Sequence, residues 1–202
     1  MKEKAKIKIL NFIGVFFIIL GVGAILEAVY NKSFSLIFWL CYMGLILIGI
    51  GCLTKNYLLI VSQLSILTIP LVFWNIDFFY FLLTNKTLFG IVDYFFNPGP
   101  LISRIISLQH LFTIPLSIYS LYLIKINKNY SLIISFFQIA IIFFITKSAT
   151  SPEENINCVF KSCINRLEFS YLPYYLFWFV GFFLIILFTN LLIISIPFLR
   201  KD

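Results

Sequence analysis

The sequence predicts an all-α, polytopic membrane protein with six transmembrane helices and both termini on the cytoplasmic side. Three observations carry that prediction. The 202 residues are 61% hydrophobic and only 11% charged, with a mean hydropathy of +1.03, whereas a soluble domain needs about 25% charged residues to cover its surface. The apolar residues gather into six stretches, each near the roughly 20 residues that cross a hydrocarbon core. The Lys and Arg residues stand singly or in short runs between those stretches, as they do where basic loops fix orientation. The net charge of +7 therefore does not point to nucleic acid, because no basic patch with interleaved polar residues forms.

The first stretch, 9–30, follows the basic start Lys2-Glu3-Lys4-Ala5-Lys6-Ile7-Lys8. That start resembles the n-region of a signal peptide, but the apolar run is too long for an h-region and lacks a small-x-small cleavage site. An uncleaved first transmembrane helix is expected. The second stretch is 34–53, joined to the first and to the third by very short turns that imply antiparallel hairpins. The third, 57–83, is overlong and contains Pro70, Asn75 and Asp77, so a kink or break is expected in its outer half. Residues 85–100, ending in Asn97-Pro98-Gly99-Pro100, cannot span and are expected to lie along the outer interface. The fourth, fifth and sixth helices are expected at 105–124, 130–146 and 171–199, which leaves outer loops at 84–104 and 147–170. No linker or fixed-period repeat divides residues 1–202, so the chain reads as a single domain.

Sidedness follows from the cations. A cytoplasmic N-terminus places Lys2, Lys4, Lys6, Lys8, Lys55, Lys125, Lys128, Arg200 and Lys201 inside. Lys32, Lys86, Arg104, Lys147, Lys161 and Arg166 then lie outside, mostly in longer loops where charge has less influence. Tyr30, Tyr80, Tyr94, Tyr171, Tyr174 and Trp178 fall at the outer boundary, where amphipathic rings prefer to sit. The expected location is the cell membrane, with the lipid bilayer as the immediate partner. Small residues recur as Gly14, Gly21, Ala24 and Ala28 in the first helix and Cys41, Gly44 and Gly51 in the second. Such faces let backbones approach closely.

Intramembrane ionisable groups are costly and read as functional by default. Here they are Glu27, Asp77 and His110, with Asp93 and Arg104 at the boundary. At a 1.5 Å rise per residue, Glu27, His110 and Asp77 lie about 5, 8 and 9 Å below the outer helix ends, in one layer. In the fourth helix Ser103, Ser107, His110, Thr113, Ser117 and Ser120 form one polar stripe interrupted by Pro115. Ser131, Ser135 and Gln138 make a shorter stripe in the fifth. The functional reading is an outward-opening polar pocket in which His110 is a general acid or base, oriented by Asp77 or Glu27. The structural alternative is that the imidazole and hydroxyls hydrogen-bond across the bundle and hold helices together.

Cys158 and Cys163 fall in the outer loop 147–170, where a disulfide is the expected state. Two Cys and one distant His fall short of four zinc ligands, so no metal and no cofactor are expected. Cys41 shares the outer layer with His110, which makes a Cys/His nucleophile pair conceivable, although a packing role fits its small-residue face better. The pairs Gly21-Val22-Gly23 and Gly49-Ile50-Gly51 lack the rest of a phosphate-binding fingerprint.

Several strings between 74 and 173 carry a resemblance: Trp74-Asn75-Ile76-Asp77-Phe78, Gly90-Ile91-Val92-Asp93-Tyr94-Phe95-Phe96, Ile106-Ser107-Leu108-Gln109-His110, Pro115, and Glu154-Asn155-Ile156-Asn157-Cys158-Val159-Phe160. In their order they resemble a family of uncharacterised bacterial integral membrane proteins. The resemblance implies that Asp77, Asp93, His110, Asn155 and Asn157 belong to a common set, and it transfers no reaction. In that family a Trp stands at the position of Cys158, followed by a Gly-Pro-Gly turn, so the disulfide would be particular to this chain. In helix count and in an intramembrane His the chain is also similar to six-helix hydrolases of the androgen-induced-protein type, as a fold-level analogy.

Together these readings give a pocket that acts on a lipid or other amphipathic small molecule, as a hydrolase or transferase. His110 and Asp77 are the candidate catalytic residues. Glu27, Asp93, Arg104 and Ser107 are candidate binding residues, with Asn155 and Asn157 as a lid or headgroup contact. The alternatives are a non-enzymatic solute-binding or transport subunit and a structural component of a membrane complex.

Overall fold

The computed structural model describes residues 2–127, 130–163 and 173–201, so Lys128, Arg166 and Tyr171 lie outside the described residues. Within them the chain is helical, with one isolated bridge between Ile126 and Arg200. Eight α-helices occur: α1 (Glu3–Tyr30), α2 (Leu40–Leu53), α3 (Tyr57–Thr84), α4 (Asp93–Phe96), α5 (Leu101–Ser107), α6 (Gln109–Ile124), α7 (Ser131–Ala149) and α8 (Tyr174–Ser195). By length and composition five spans can cross a membrane: α1, α3, the continuous segment Leu101–Ile124 formed by α5 and α6, α7, and α8.

The apolar stretch 34–53 is not one long helix. A 3₁₀ turn occupies Phe34–Phe38, Trp39 is extended at φ −58° and ψ 126°, and α2 has only 14 residues. That is about 21 Å of helix, short of a hydrocarbon core of about 30 Å. A side-chain amide from a distant loop enforces the break, as described below. The third stretch differs in the opposite sense, because α3 runs unbroken for 28 residues through Pro70. Asn75 turns its amide back onto the Leu71 carbonyl at 2.7 Å, and neighbouring helices enclose the helix, conditions under which proline is tolerated inside a span. The Asn56 side chain caps its start by accepting from Leu58 N–H at 3.0 Å, and Asn85 ends it in the left-handed region at φ 55°. α5 begins at 101, directly after Pro100. α8 ends at 195 because Pro197 cannot continue it.

The helices alternate in direction. The upper end of the bundle holds the starts of α2, α5 and α8 and the ends of α1, α3 and α7, while the lower end holds both chain termini. α3 is the centre: it packs against α2, α6, α7 and α8, and α1 closes the structure by packing on α2 and on α5 and α6. The core is apolar, with Phe17, Leu45, Ile48, Ile60, Leu64, Leu121, Ile139 and Ile186 fully enclosed. Polar groups bridge the helices of the lower half: Gln63 Nε2 donates to Gln138 Oε1 at 2.8 Å, Ser135 Oγ to Ser62 O at 3.2 Å, and Asn190 Nδ2 to Ser65 Oγ and Ser131 Oγ at 3.0 and 2.8 Å. Lys55 and Lys6 reach Glu3 at 3.9 Å, and Ile126 N–H and Lys201 N–H pair with Leu199 O and Ile126 O. The outer faces remain apolar, as at Phe12, Ile19, Ile133, Phe144 and Leu184.

Close approach of α1 and α2 depends on glycine. A Cβ placed on Gly49 would lie 2.7 Å from Gly14 O and 3.2 Å from Ile18 N, and one on Gly14 would lie 2.9 Å from Gly49 O. The obstacles are backbone atoms, so the helices themselves must move apart. Gly49→Ala is therefore expected to destabilise the fold by about 1–3 kcal/mol, read as a lower thermal midpoint of the purified protein. Gly44 and Gly51, on the small-residue face of α2, meet α3 instead, against Leu67 and Ile60.

Candidate functional site

The upper part of the bundle gathers most of the polar candidates, but pairs them differently from the sequence expectation. After α3 the chain folds back over the helix end, and Asp77 organises this return. Its Oδ1 accepts from Leu88 and Phe89 N–H at 2.6 and 2.9 Å, and its Oδ2 from Ile91 and Val92 N–H at 2.7 and 3.1 Å. Four backbone donors fill the four acceptor positions of a carboxylate, and the side chain is fully buried. The returning segment then packs Phe95 and Phe96 against Trp74, Phe78 and Phe81 around buried Val92. Asp77 thus serves the loop and does not orient His110.

Trp74 is the residue that meets His110. The two rings stack with centroids 4.5 Å apart. Trp74 Nε1 donates to Tyr94 OH at 2.9 Å, Tyr94 OH to Ser107 Oγ at 3.3 Å, and Ser107 Oγ to Ser103 O at 2.8 Å. Ser103 Oγ donates to Glu27, which also receives Asn31 Nδ2 at 2.5 Å. Glu27 is therefore tied through Ser103 to α5 and does not contact the imidazole. Arg104 donates through Nη2 to Asn97 O at 2.5 Å, and Asp93 is exposed at the start of α4.

His110 Nδ1 lies 2.6 Å from Ser107 O. A carbonyl only accepts, so Nδ1 carries the hydrogen, and in the neutral ring Nε2 is left as an acceptor. Asn75 donates from Nδ2 to His110 O at 3.1 Å as well as to Leu71 O, which leaves its Oδ1 as a second acceptor. Both residues line a groove of about 620 Å³ between α3 and α6, whose walls include Ile76, Phe79, Leu83, Leu111, Ile114 and Pro115. Its flanks expose Val72, Ile76, Phe79 and Leu83, so it opens sideways from the bundle. None of its lining residues is Ser, Thr, Cys, Asp or Glu.

Below His110 the polar stripe turns inward. Thr113, Ser117 and Ser120 are at most 1% exposed. Thr113 Oγ1 and Ser120 Oγ donate to the carbonyls of Gln109 and Leu116, and Cys52 Sγ donates to Ser120 Oγ at 3.3 Å. Thr113 and Ser120 are thus satisfied locally or across a helix contact, the arrangement expected of helix-packing polar groups, whereas the buried Ser117 Oγ has no hydrogen-bond partner among the described residues.

The loop after α7 is built by its two asparagines. Asn155 and Asn157 adopt left-handed conformations at φ 45° and 53°, which Asn tolerates better than most residues. Asn155 Oδ1 accepts from Phe160 and Lys161 N–H, both at 3.1 Å, and its Nδ2 donates to Lys161 O at 3.0 Å. Asn157 Oδ1 accepts from Leu40 N–H at 2.9 Å, and its Nδ2 donates to Phe38 O at 2.7 Å and to Thr146 Oγ1 at 3.1 Å. One side-chain amide thus pairs with the backbone on both sides of Trp39 and holds the break before α2. Trp178 Nε1 donates to Asn157 O at 2.9 Å, and Cys158 and Cys163 form a disulfide with Cα atoms 5.5 Å apart. Hydrogen bonds from the Ser35 hydroxyl and the Ser151 backbone hold the Glu154 carboxyl below the usual carboxylate range. Both asparagines are framework of the loop, not free contacts above a pocket.

Sequence reasoning places Glu27, Asp77 and His110 in one outer layer; Glu27 and His110 are linked through Ser103 and Ser107 of α5, while Asp77 is taken up by the backbone of 88–92. It does not single out Asn75 as part of the groove; its place beside Trp74 was the available signal. Among the described residues no group of three or more His, Cys, Asp or Glu side chains could hold a metal ion. The chain matches no family model, no curated protein and no solved structure.

Proposed function

We propose that this is a six-span protein of the cell membrane, with both termini cytoplasmic, that binds an amphipathic molecule drawn sideways from the bilayer into the α3–α6 groove. The observation that carries the reading is the pair of acceptors, His110 Nε2 and Asn75 Oδ1, on two residues that line a groove which is apolar apart from them and the Tyr80 hydroxyl. Acyl or other apolar chains suit the walls, and a hydroxyl or amino headgroup suits the two acceptors. Polar groups inside a membrane are costly and read as functional by default. With α2 and its preceding 3₁₀ turn counted as the short sixth crossing, the termini share the lower end with Lys4, Lys6, Lys8, Lys55, Lys125 and Lys201, in keeping with retention of basic ends in the cytoplasm. Binding is favoured over hydrolysis or group transfer because no Ser, Thr or Cys lines the groove, whose one lining hydroxyl is the Tyr80 phenol, and His110 has no carboxylate to orient it.

The test is photolabelling of the purified protein with a diazirine-bearing long-chain alcohol. Labelling is expected on α3 and α6 around His110. His110→Phe keeps an aromatic ring against Trp74 and removes the acceptor, so labelling is expected to fall about ten-fold, the loss of one good hydrogen bond. Equal labelling of the variant, or labelling spread evenly over the lipid-facing helices, would refute the site.

A further inference from the structure

A second cleft, between α7 and α8 at the upper end of the bundle, has a different chemistry. It encloses about 420 Å³, and its apolar wall consists of Phe143, Phe144, Leu176 and Phe179. Lys147 stands at its mouth in the last turn of α7, with Nζ 5.3 Å from the Phe143 ring centroid and 5.6 Å from that of Tyr175. Ser148 and Tyr175 share the mouth. All three are exposed and can donate hydrogen bonds.

Among the described residues no carboxylate pairs with Lys147; the two ion pairs formed both involve Glu3 at the other end of the bundle. Of the described acidic residues in the loop above, Glu154 is engaged with Ser35 and Ser151, while Glu153 has Lys161 as its cationic neighbour. A cation over two aromatic faces at the end of a span is held where lipid phosphates lie. One helical turn further into the bundle, about 6 Å away, the cleft is lined only by rings and aliphatic groups.

We infer that this cleft is a binding site for an anionic phospholipid, with the phosphate on Lys147, Ser148 and Tyr175 and an acyl chain along Phe143, Phe144, Leu176 and Phe179. Charge complementarity selects an anionic lipid over a zwitterionic one, since the mouth offers a cation and donors and, among the described residues that line it, no carboxylate to meet a choline or an amine. The site is separate from the α3–α6 groove, and its failure would leave that reading intact.

Native mass spectrometry of the full chain, titrated in detergent with dioleoylphosphatidylglycerol or dioleoylphosphatidylcholine, tests it. The wild type is expected to hold its first phosphatidylglycerol about five-fold more tightly than phosphatidylcholine, the effect of one lysine at a membrane surface. Lys147→Met keeps the apolar stem and should remove that preference, whereas Lys147→Arg should retain it. Leu176→Trp fills the exposed part of the cleft without changing charge and should weaken binding of the first phosphatidylglycerol. Three results would each overturn the inference: no preference in the wild type, an undiminished preference in Lys147→Met, or displacement of the lipid by millimolar inorganic phosphate, which would make this a site for the free anion.

Discussion

Asp77→Asn is expected to lower the stability of the protein by about 2–6 kcal/mol, although it changes one oxygen to one nitrogen. The carboxylate receives four backbone N–H groups from 88–92, and an amide can accept from only two of them. The remaining two would face an NH₂ group, each at the cost of a buried unsatisfied donor, about 1–3 kcal/mol. Against a total stability of about 5–15 kcal/mol this is a large fraction. Two measurements check it together: the thermal midpoint in detergent, and hydrogen exchange at Leu88, Phe89, Ile91 and Val92, which should speed up selectively. If those amides stay protected in the variant, Asp77 does not hold the loop.

Asn157→Ala is expected to cost about 3–5 kcal/mol. It strands Leu40 N–H, Phe38 C=O and Thr146 Oγ1, and it places a Cβ-bearing residue without a local hydrogen bond at φ 53°, itself worth about 1–2 kcal/mol. Asn157→Gly loses the same side-chain bonds but relaxes the backbone, so it should be more stable than the alanine variant by about 1 kcal/mol. Chemical denaturation of the three proteins side by side measures both effects. Equal stability of wild type and Asn157→Ala would mean that the 3₁₀ turn and α2 hold their geometry unaided.

The places where sequence reading succeeded and failed have physical causes. Long apolar runs locate α1, α3, α7 and α8 because burial in an apolar medium leaves a composition that needs no alignment to detect. The stripe from Ser103 to Ser120 correctly marks one face of a helix, but periodicity gives a face without saying what lies opposite it. The upper part of that face meets Glu27 and Tyr94, and the lower part meets the sulfur of Cys52. Asp77 is recognisable as a buried charge needing a partner, yet its partners are peptide N–H groups, which every residue carries and no sequence distinguishes. The sequence reading therefore pairs Asp77 with His110, and the structure gives His110 to Ser107 O instead. The length of α2 fails for the same reason. Nothing within 34–53 demands a break at Trp39, because the group enforcing it belongs to the loop after α7.

The Asn157 contact also bears on the order of assembly. A chain made from its N-terminus presents its early domains or segments for folding first, yet the acceptor for Leu40 N–H lies 117 residues downstream. When 34–53 leaves the ribosome, that acceptor has not been synthesised. The upper end of α2 is accordingly expected to keep a provisional conformation until the loop between α7 and α8 has been made and can dock on it. An early segment of this protein is thus finished late, and truncations that stop short of 157 should leave its first hairpin inserted but incompletely folded.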